Sequence, residues 1–265
     1  MKIISRKPIV NFITLIAILF SFSTYSYTPY TESIIKTALH NEPVAEPTPL
    51  VTISGSHVRM ITFTNDTSYT TGNKKLSDSV WMTCEPELKN ACSEYVKTHR
   101  NLTHHQLALW IGQLLGVPPY QIDTFNIVVF DVPVIQAYYG KSFRNIGIFR
   151  PCTDPRISKH NDRSSICPEK MNADDPYISS NYKTWYIDNA IASYTLRKEE
   201  ISHDRYTGYP WTGYGYTYNW NPKAANIDGL SEFVVLQNTP ITVLPNPDNL
   251  NIAYISPEQY CGVNS

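Results

Sequence analysis

The chain has 265 residues, 42% of them hydrophobic and 17% charged, with 22 basic and 23 acidic side chains. That composition excludes a disordered polyelectrolyte. The absence of a basic block excludes the charge pattern of a nucleic-acid binder, and the length suits one domain with a real core.

The N-terminus has the form of an export signal. Lys2, Arg6 and Lys7 form a basic n-region, 9–22 is an apolar run, and Thr24-Tyr25-Ser26 offers small residues for cleavage near Ser26. The run suits a signal peptide and is short for a spanning helix, with an uncleaved anchor as the alternative. The expectation is a signal peptide over 1–26, a mature form not embedded in a membrane, and a periplasmic or secreted address. Taking Lys2, Arg6 and Lys7 from the 22 basic residues leaves 19 against 23 acidic ones, a net of −4.

Residues 27–49 contain Pro29, Pro43, Pro47 and Pro49 and are expected to be a tether, with room for a short helix over 33–39. Residues 50–265 form the globular domain. Within it, 51–53 and 57–63 have strand composition, 65–77 is a polar loop, and 79–83 is a short strand containing Trp81. A helix is expected over 86–97, where Pro86 suits an early position and Leu88, Cys92, Tyr95 and Val96 share a face. The next begins at Thr103, which forms a capping box with Gln106 while Leu102 and Leu107 form a staple. Its buried stripe is Leu107, Trp110, Ile111, Leu114 and Leu115; Gly116 caps it and Pro118-Pro119 prevents continuation. His99, His104 and His105 cluster at its start without metal-ligand spacing, so no metal is expected. Asn65 and Asn101 each open an Asn-x-Thr sequon. Residues 125–132 have the composition of a buried central strand, and 145–150 that of a strand ending in Arg150. A loop spans 153–176 and a helix 181–198; strands at 241–244 and 252–255 close the sheet. This order predicts an α+β fold: a single domain with a largely antiparallel sheet and about three helices, preceded by the signal peptide.

The cysteines are Cys84, Cys92, Cys152, Cys167 and Cys261. Export makes disulfides the default, and an odd number leaves at least one thiol over. A Cys152–Cys167 bridge would close a loop of about 16 residues and contribute about 3 kcal/mol. Cys261 would tie the tail to Cys92, leaving Cys84.

The most site-like stretch is 206–235. Tyr206, Tyr209, Trp211, Tyr214, Tyr216, Tyr218 and Trp220 crowd its first half. The last four alternate with Gly215, Thr217 and Asn219, a period of two that puts those rings on one strand face. A second strand over 230–235 carries one carboxylate, Glu232, among apolar residues. The expected site joins a ring-lined face (Trp211, Tyr214, Tyr216, Tyr218, Trp220) to Glu232.

Several motifs carry a resemblance: Gln113-Leu-Leu-Gly-Val-Pro-Pro119, Phe149-Arg-Pro-Cys152, Tyr209-Pro-Trp-Thr212 with Gly215-Tyr-Thr-Tyr-Asn-Trp220, Gly229-Leu-Ser-Glu-Phe-Val-Val235, and Tyr260-Cys261. On these the chain resembles a family of uncharacterised exported bacterial proteins, over roughly 80–261. The resemblance implies that Cys92, Cys152, Cys167 and Cys261 are the family's cysteines and Cys84 the extra one. It implies no activity. A weaker likeness links Arg150, then Tyr216-Thr217-Tyr218, then Glu232 to NAD-cleaving enzymes of the ADP-ribosyltransferase type. It implies that Glu232 stabilises an oxocarbenium-like centre while Arg150 holds a phosphate. Leu230 stands where protein-modifying members carry Glu or Gln, and tyrosines stand where that group has serines.

The function expected first is a disulfide-stabilised recognition domain with an aromatic-lined site, its ligand a carbohydrate, a peptide or NAD, and no cofactor. The alternative is NAD cleavage by Glu232 and Arg150. A third is glycoside hydrolysis, with Asp131 or Asp228 completing an acid pair with Glu232. Gly-x-Ser-x-Gly, HExxH and phosphate-cradling glycine loops are absent.

Overall fold

A computed structural model describes residues 29–39, 51, 53–139, 142–146, 148–151, 165–166, 188–189, 191–195, 208–213 and 215–263. The signal peptide, Cys152 and Cys167 lie outside the described residues.

The fold is α+β. In chain order the elements are α1 (Pro29–Leu39), β1 (His57–Thr64), β2 (Gly72–Lys75), β3 (Val80–Cys84), α2 (Glu85–Thr98), α3 (His104–Leu115) and a 3-10 turn (Ile122–Thr124). There follow β4 (Asn126–Pro133), β5 (Ile135–Tyr139), β6 (Ser142–Ile146), β7 (Ile148–Pro151), β8 (Ser165–Ile166), β9 (Tyr216–Tyr218) and β10 (Asp228–Ser231). The chain ends with β11 (Phe233–Val235), β12 (Pro240–Val243), β13 (Tyr254–Ile255) and α4 (Pro257–Cys261). The main sheet runs β2-β12-β4-β1-β3-β11-β7-β8, with β13 also on β4. Every pair in it is antiparallel except β7–β8. Two short ribbons, β5–β6 and β9–β10, stand beside it.

β4 is the central strand that its β-branched run predicts. Ile127 and Val129 enter the core beneath the helices, while Val128, Phe130 and Val132 enter the core on the opposite face. Period-two alternation with apolar residues at both parities means burial on both sides. The helical face packs Leu88 and Cys92 of α2, Leu107 and Ile111 of α3, and Tyr260 of α4 against Ile61 and Phe63 of β1.

The helix α3 forms as its sequence specifies. Thr103 Oγ1 accepts from Gln106 N–H at 3.2 Å, and Gln106 Oε1 accepts from Thr103 N–H at 2.9 Å. Gly116 ends the helix in the left-handed region at φ 72°.

Four features depart from expectation. Pro29–Leu39, assigned to a tether, is α1 and buries Tyr30 and Ile34 against Tyr218 and Trp220. Its Pro29 sits at the N-terminus, where a missing N–H is harmless. Residues 65–77, expected to be loop, contain β2, a polar edge strand whose Lys74 and Lys75 suit an exposed edge. Val51 and Ile53 are not strand but still pack on the core. The single strand expected over 145–150 is two, β6 and β7. Of the helix expected over 181–198, the described residues 188–189 and 191–194 are helical.

Cys92 on α2 and Cys261 on α4 form the expected disulfide, across 169 residues of sequence. Cys84 remains a buried thiol. Among the described residues no helix is long and apolar enough to cross a membrane.

A histidine also holds α4. His104 places Nδ1 2.7 Å from Glu258 Oε1 and Nε2 2.9 Å from the Asp123 carbonyl. Two acceptors on two ring nitrogens select the imidazolium, which alone donates twice. Burial opposes that charge, but the bonds to Asp123 and Glu258 outweigh it and raise the pKa above 6.5. A raised folded pKa makes this contribution complete below pH 6.5 and lost as pH rises through the folded value. Urea unfolding at pH 6 and pH 9 is expected to show His104→Ala less stable at pH 6, by under about 1 kcal/mol, with no such deficit at pH 9.

Candidate functional site

The segment 211–235 turns one way and then the other. β9 and β10 pair as a ribbon, with Asp228 opposite Tyr218 and Ser231 opposite Tyr216. The strand expected over 230–235 then breaks at Glu232, whose N–H donates to the Gly215 carbonyl at 2.8 Å. One residue later β11 joins the main sheet between β3 and β7. Glu232 is the hinge between ribbon and sheet.

The register fixes its neighbours. Phe233 pairs with Met82 and Val234 with Trp81, so one step back Thr83 lies level with Glu232. Thr83 in turn pairs with Ile61 on β1. Residues opposite one another in an antiparallel pair share a face. Ile61, Thr83 and Glu232 therefore form a row across three strands, with Trp81 in the next.

Over this row lies a cavity of about 110 Å³. The sheet supplies its floor through Ile61, Phe63, Trp81, Thr83 and Glu232. Leu115 at the end of α3, Val117 and Thr217 form its other walls. The Thr83 hydroxyl is buried and makes no hydrogen bond. Ordinarily an unpaired buried hydroxyl costs about 1–3 kcal/mol, so it is a group to be explained.

Glu232 is half-buried and lines the cavity. The Trp211 Nε1–H donates to its Oε2 at 3.1 Å. Among the described residues nothing bonds to Oε1, and no cation offsets the carboxylate. Burial pushes the Glu232 carboxyl up to about 8, against the Trp211 bond, which favours the anion. Trp211 is itself held edge-on by Trp81, with centroids 5.9 Å apart, and its carbonyl accepts from Tyr194 Oη at 2.9 Å. Tyr209 lies near enough for the Glu232 charge to add to the upward shift that burial gives its phenol.

The ring face expected from the alternation is real but turned inward. Tyr216 and Tyr218 are 3% and 4% exposed, and Trp220 is 7% exposed outside any strand. The residue of β9 that lines the cavity is Thr217, the one between the tyrosines. Tyr218 and Trp220 instead pack on Tyr30 of α1, and Trp220 meets that ring edge-on at 5.4 Å. Their burial follows from the end of α3, whose last carbonyls need donors. Trp220 Nε1–H donates to Val117 O at 3.0 Å, and Thr217 Oγ1–H donates to Leu114 O at 2.7 Å. These three rings are buried and do not line the cavity, and Trp211, itself 2% exposed, touches it only through its bond to Glu232. Tyr214 lies outside the described residues.

Arg150 lies on β7, which pairs with β11 through Phe149 and Val234. Its backbone is thus one strand from Glu232; its side chain lies outside the described residues. Asp131 and Asp228, the expected acid partners, do not line the cavity. Asp131 is level with Arg59 and Thr242 in the sheet, and Asp228 is buried at 7% exposure. Among the described residues no group of His, Cys, Asp and Glu is placed to hold a metal.

Thr83 was overlooked in the sequence, although its signal equals that of Glu232: a polar residue at the buried parity of an apolar strand. The cavity also depends on Gly229. A Cβ there would overlap the Thr217 hydroxyl and the Leu114 carbonyl, so only glycine lets β10 approach the end of α3. Gly229→Ala is expected to lower stability by about 1–3 kcal/mol in urea unfolding, because a backbone carbonyl has little room to yield.

No family model, no curated protein and no solved structure matches the chain.

Proposed function

We propose that the chain is an exported, disulfide-braced recognition domain whose ligand enters the cavity over Glu232. The observation that carries this reading is an acid without a counter-charge among the described residues, lining a largely apolar cavity and fixed there by one indole N–H. Such a group opposes folding, and an arrangement that does so is a mark of function. Trp81 lines the cavity and Trp211 bonds its acid, so ligand entry is expected to change tryptophan fluorescence. The test titrates the purified protein with oligosaccharides, peptides and NAD. A saturable change with one class, absent in Glu232→Ala, supports the reading; no change with any class at millimolar concentration overturns it.

One observation favours NAD cleavage as a second reading: the strand of Arg150 is adjacent to the strand that Glu232 opens. That chemistry needs the carboxylate, so nicotinamide release would rise as pH approaches 8. Absence of release over hours from folded protein at pH 8.5 ends it. The acid pair of a glycoside hydrolase finds no support, since Glu232 is the one carboxyl lining the cavity among the described residues.

A further inference from the structure

Resting on the recognition reading above, the chemistry of the ligand follows from what the cavity lacks. Glu232 Oε2 is satisfied by Trp211, and among the described residues Oε1 has no partner. Level with it across the ladder, the Thr83 hydroxyl is buried and equally unpartnered. Thr62 alternates with Ile61 and Phe63 and belongs to the opposite face of β1; the rest of the lining is apolar or already bonded, with the rings of Phe63 and Trp81 on the floor and Thr217 Oγ1 engaged by Leu114 and Leu230. The carboxylate can only accept, and the hydroxyl level with it can accept as well as donate, so the pair suits a donor-rich cation. A carboxylate in an apolar site reaches its charged state cheaply only when the counter-charge arrives with it. Ring faces nearby add cation–π attraction. A metal ion needs more ligands than one carboxyl supplies, and the residues present offer no such set.

We infer that the cavity binds a small organic ammonium, its N–H groups donating to Oε1 of Glu232 and to the hydroxyl of Thr83 and its apolar stem lying against Phe63, Trp81 and Leu115. The volume of about 110 Å³ is of the order of a cavity that holds one benzene ring, so the stem is a ring or a short alkyl chain. Amines of this kind are arylalkyl and short alkyl amines, whose nitrogen is protonated at neutral pH.

Binding is coupled to a proton. Below pH 8 the Glu232 carboxyl carries its proton and must release it when the ammonium arrives. The titratable groups around it do not supply this coupling. Tyr209 titrates above the range, and Glu87 of α2 accepts from Ser231 through Oε1 at 2.9 Å and does not line the cavity. On β3, Cys84 belongs to the core of the opposite face; the end of α3 and β9 present no charged group to the cavity. Arg150 on β7 has its side chain outside the described residues.

The experiment is isothermal titration calorimetry of the full protein with benzylamine and its neutral analogue benzamide at pH 6, 7 and 8. Benzylamine is expected to bind at least about tenfold tighter than benzamide at pH 8, and to gain nearly tenfold per pH unit from 6 to 8. About one proton should be released per benzylamine bound at pH 6, read from buffers of different ionisation enthalpy. Glu232→Gln should weaken benzylamine about tenfold or more and leave benzamide nearly unchanged; Thr83→Val should weaken benzylamine about 2- to 10-fold. Glu232→Asp, which keeps the charge, should keep the pH-dependent preference for the amine. Benzamide binding as well as benzylamine, or benzylamine affinity flat from pH 6 to 8, overturns the ammonium inference while the recognition site stands. If neither probe binds at millimolar concentration, the recognition reading falls and the inference with it.

Discussion

Replacing Glu232 by Gln is expected to make the protein more stable at pH 9, while leaving its stability at pH 4 unchanged. The folded protein holds the Glu232 proton up to about pH 8, whereas the carboxyl ordinarily loses it near 4.5. Between those values the folded state binds more protons than the unfolded one, so stability falls as pH rises. The penalty is absent below 4.5, grows through the interval and is complete above 8. A shift of that size corresponds to a few kcal/mol at most, and the opening through the cavity reduces it. Glutamine keeps an oxygen for the Trp211 N–H and removes the charge. Urea unfolding of both proteins at pH 4, 7 and 9 measures the effect. Equal stabilities at pH 9 would mean that Glu232 is solvated in the folded protein, and the case for a site built on it would fall with that result.

Removal of the Cys92–Cys261 bridge is expected to be the most damaging change away from the cavity. The bridge spans 169 residues, so its loss releases a large loop in the unfolded chain. In the chain-entropy account such a bridge contributes about 2–5 kcal/mol. Its loss also frees α4, whose Tyr260 is buried and donates to the Glu85 carbonyl at 3.1 Å. The Lys89 ammonium sits 4.7 Å over the Tyr260 ring, a contact that depends on the same docking. The double variant Cys92→Ser, Cys261→Ser should melt lower by roughly 5–20 °C in scanning calorimetry. Loss of the His104–Glu258 contact should accompany it, reducing the stability difference between pH 6 and pH 9 that this histidine supplies to the part that its bond to the Asp123 carbonyl maintains. A melting temperature within about 2 °C of the parent would show that α4 is held by packing alone.

The elements legible in the sequence are those whose signals are local. Thr103, Gln106 and Gly116 specify α3 at both ends because capping bonds join residues three or four apart. Leu88 and Cys92 are buried in α2 as the helical period requires. β4 is central because its apolar residues occupy both parities. The features that escaped are those whose signals come from elsewhere in the chain. β2 is polar and is a strand only because β12 lies beside it. Pro29–Leu39 docks because Tyr218 and Trp220 offer a surface far away in sequence. The β5–β6 hairpin is the exception, since Gly140-Lys141 in the sequence between its paired ends Tyr139 and Ser142 is a local two-residue turn signal.

The same division runs through the candidate site. Glu232 was conspicuous as a lone acid in an apolar strand, and Trp211 as part of a ring-rich approach. The alternation correctly separates Thr217 from the tyrosines on either side of it. Nothing in that alternation says which side faces a cavity. By itself the amino-acid sequence determined the boundaries of α2 and α3, the central strand, the isolated acid and the cysteine that ties down the tail. These rest on interactions within a few residues or on the chemistry of a single side chain. The tertiary structure alone decided that the rings turn inward to serve the end of α3, that Thr83 rather than Asp131 or Asp228 stands beside Glu232, and that a cavity opens over them. Those outcomes depend on strand register, and register is set by the packing of whole elements rather than by any one residue.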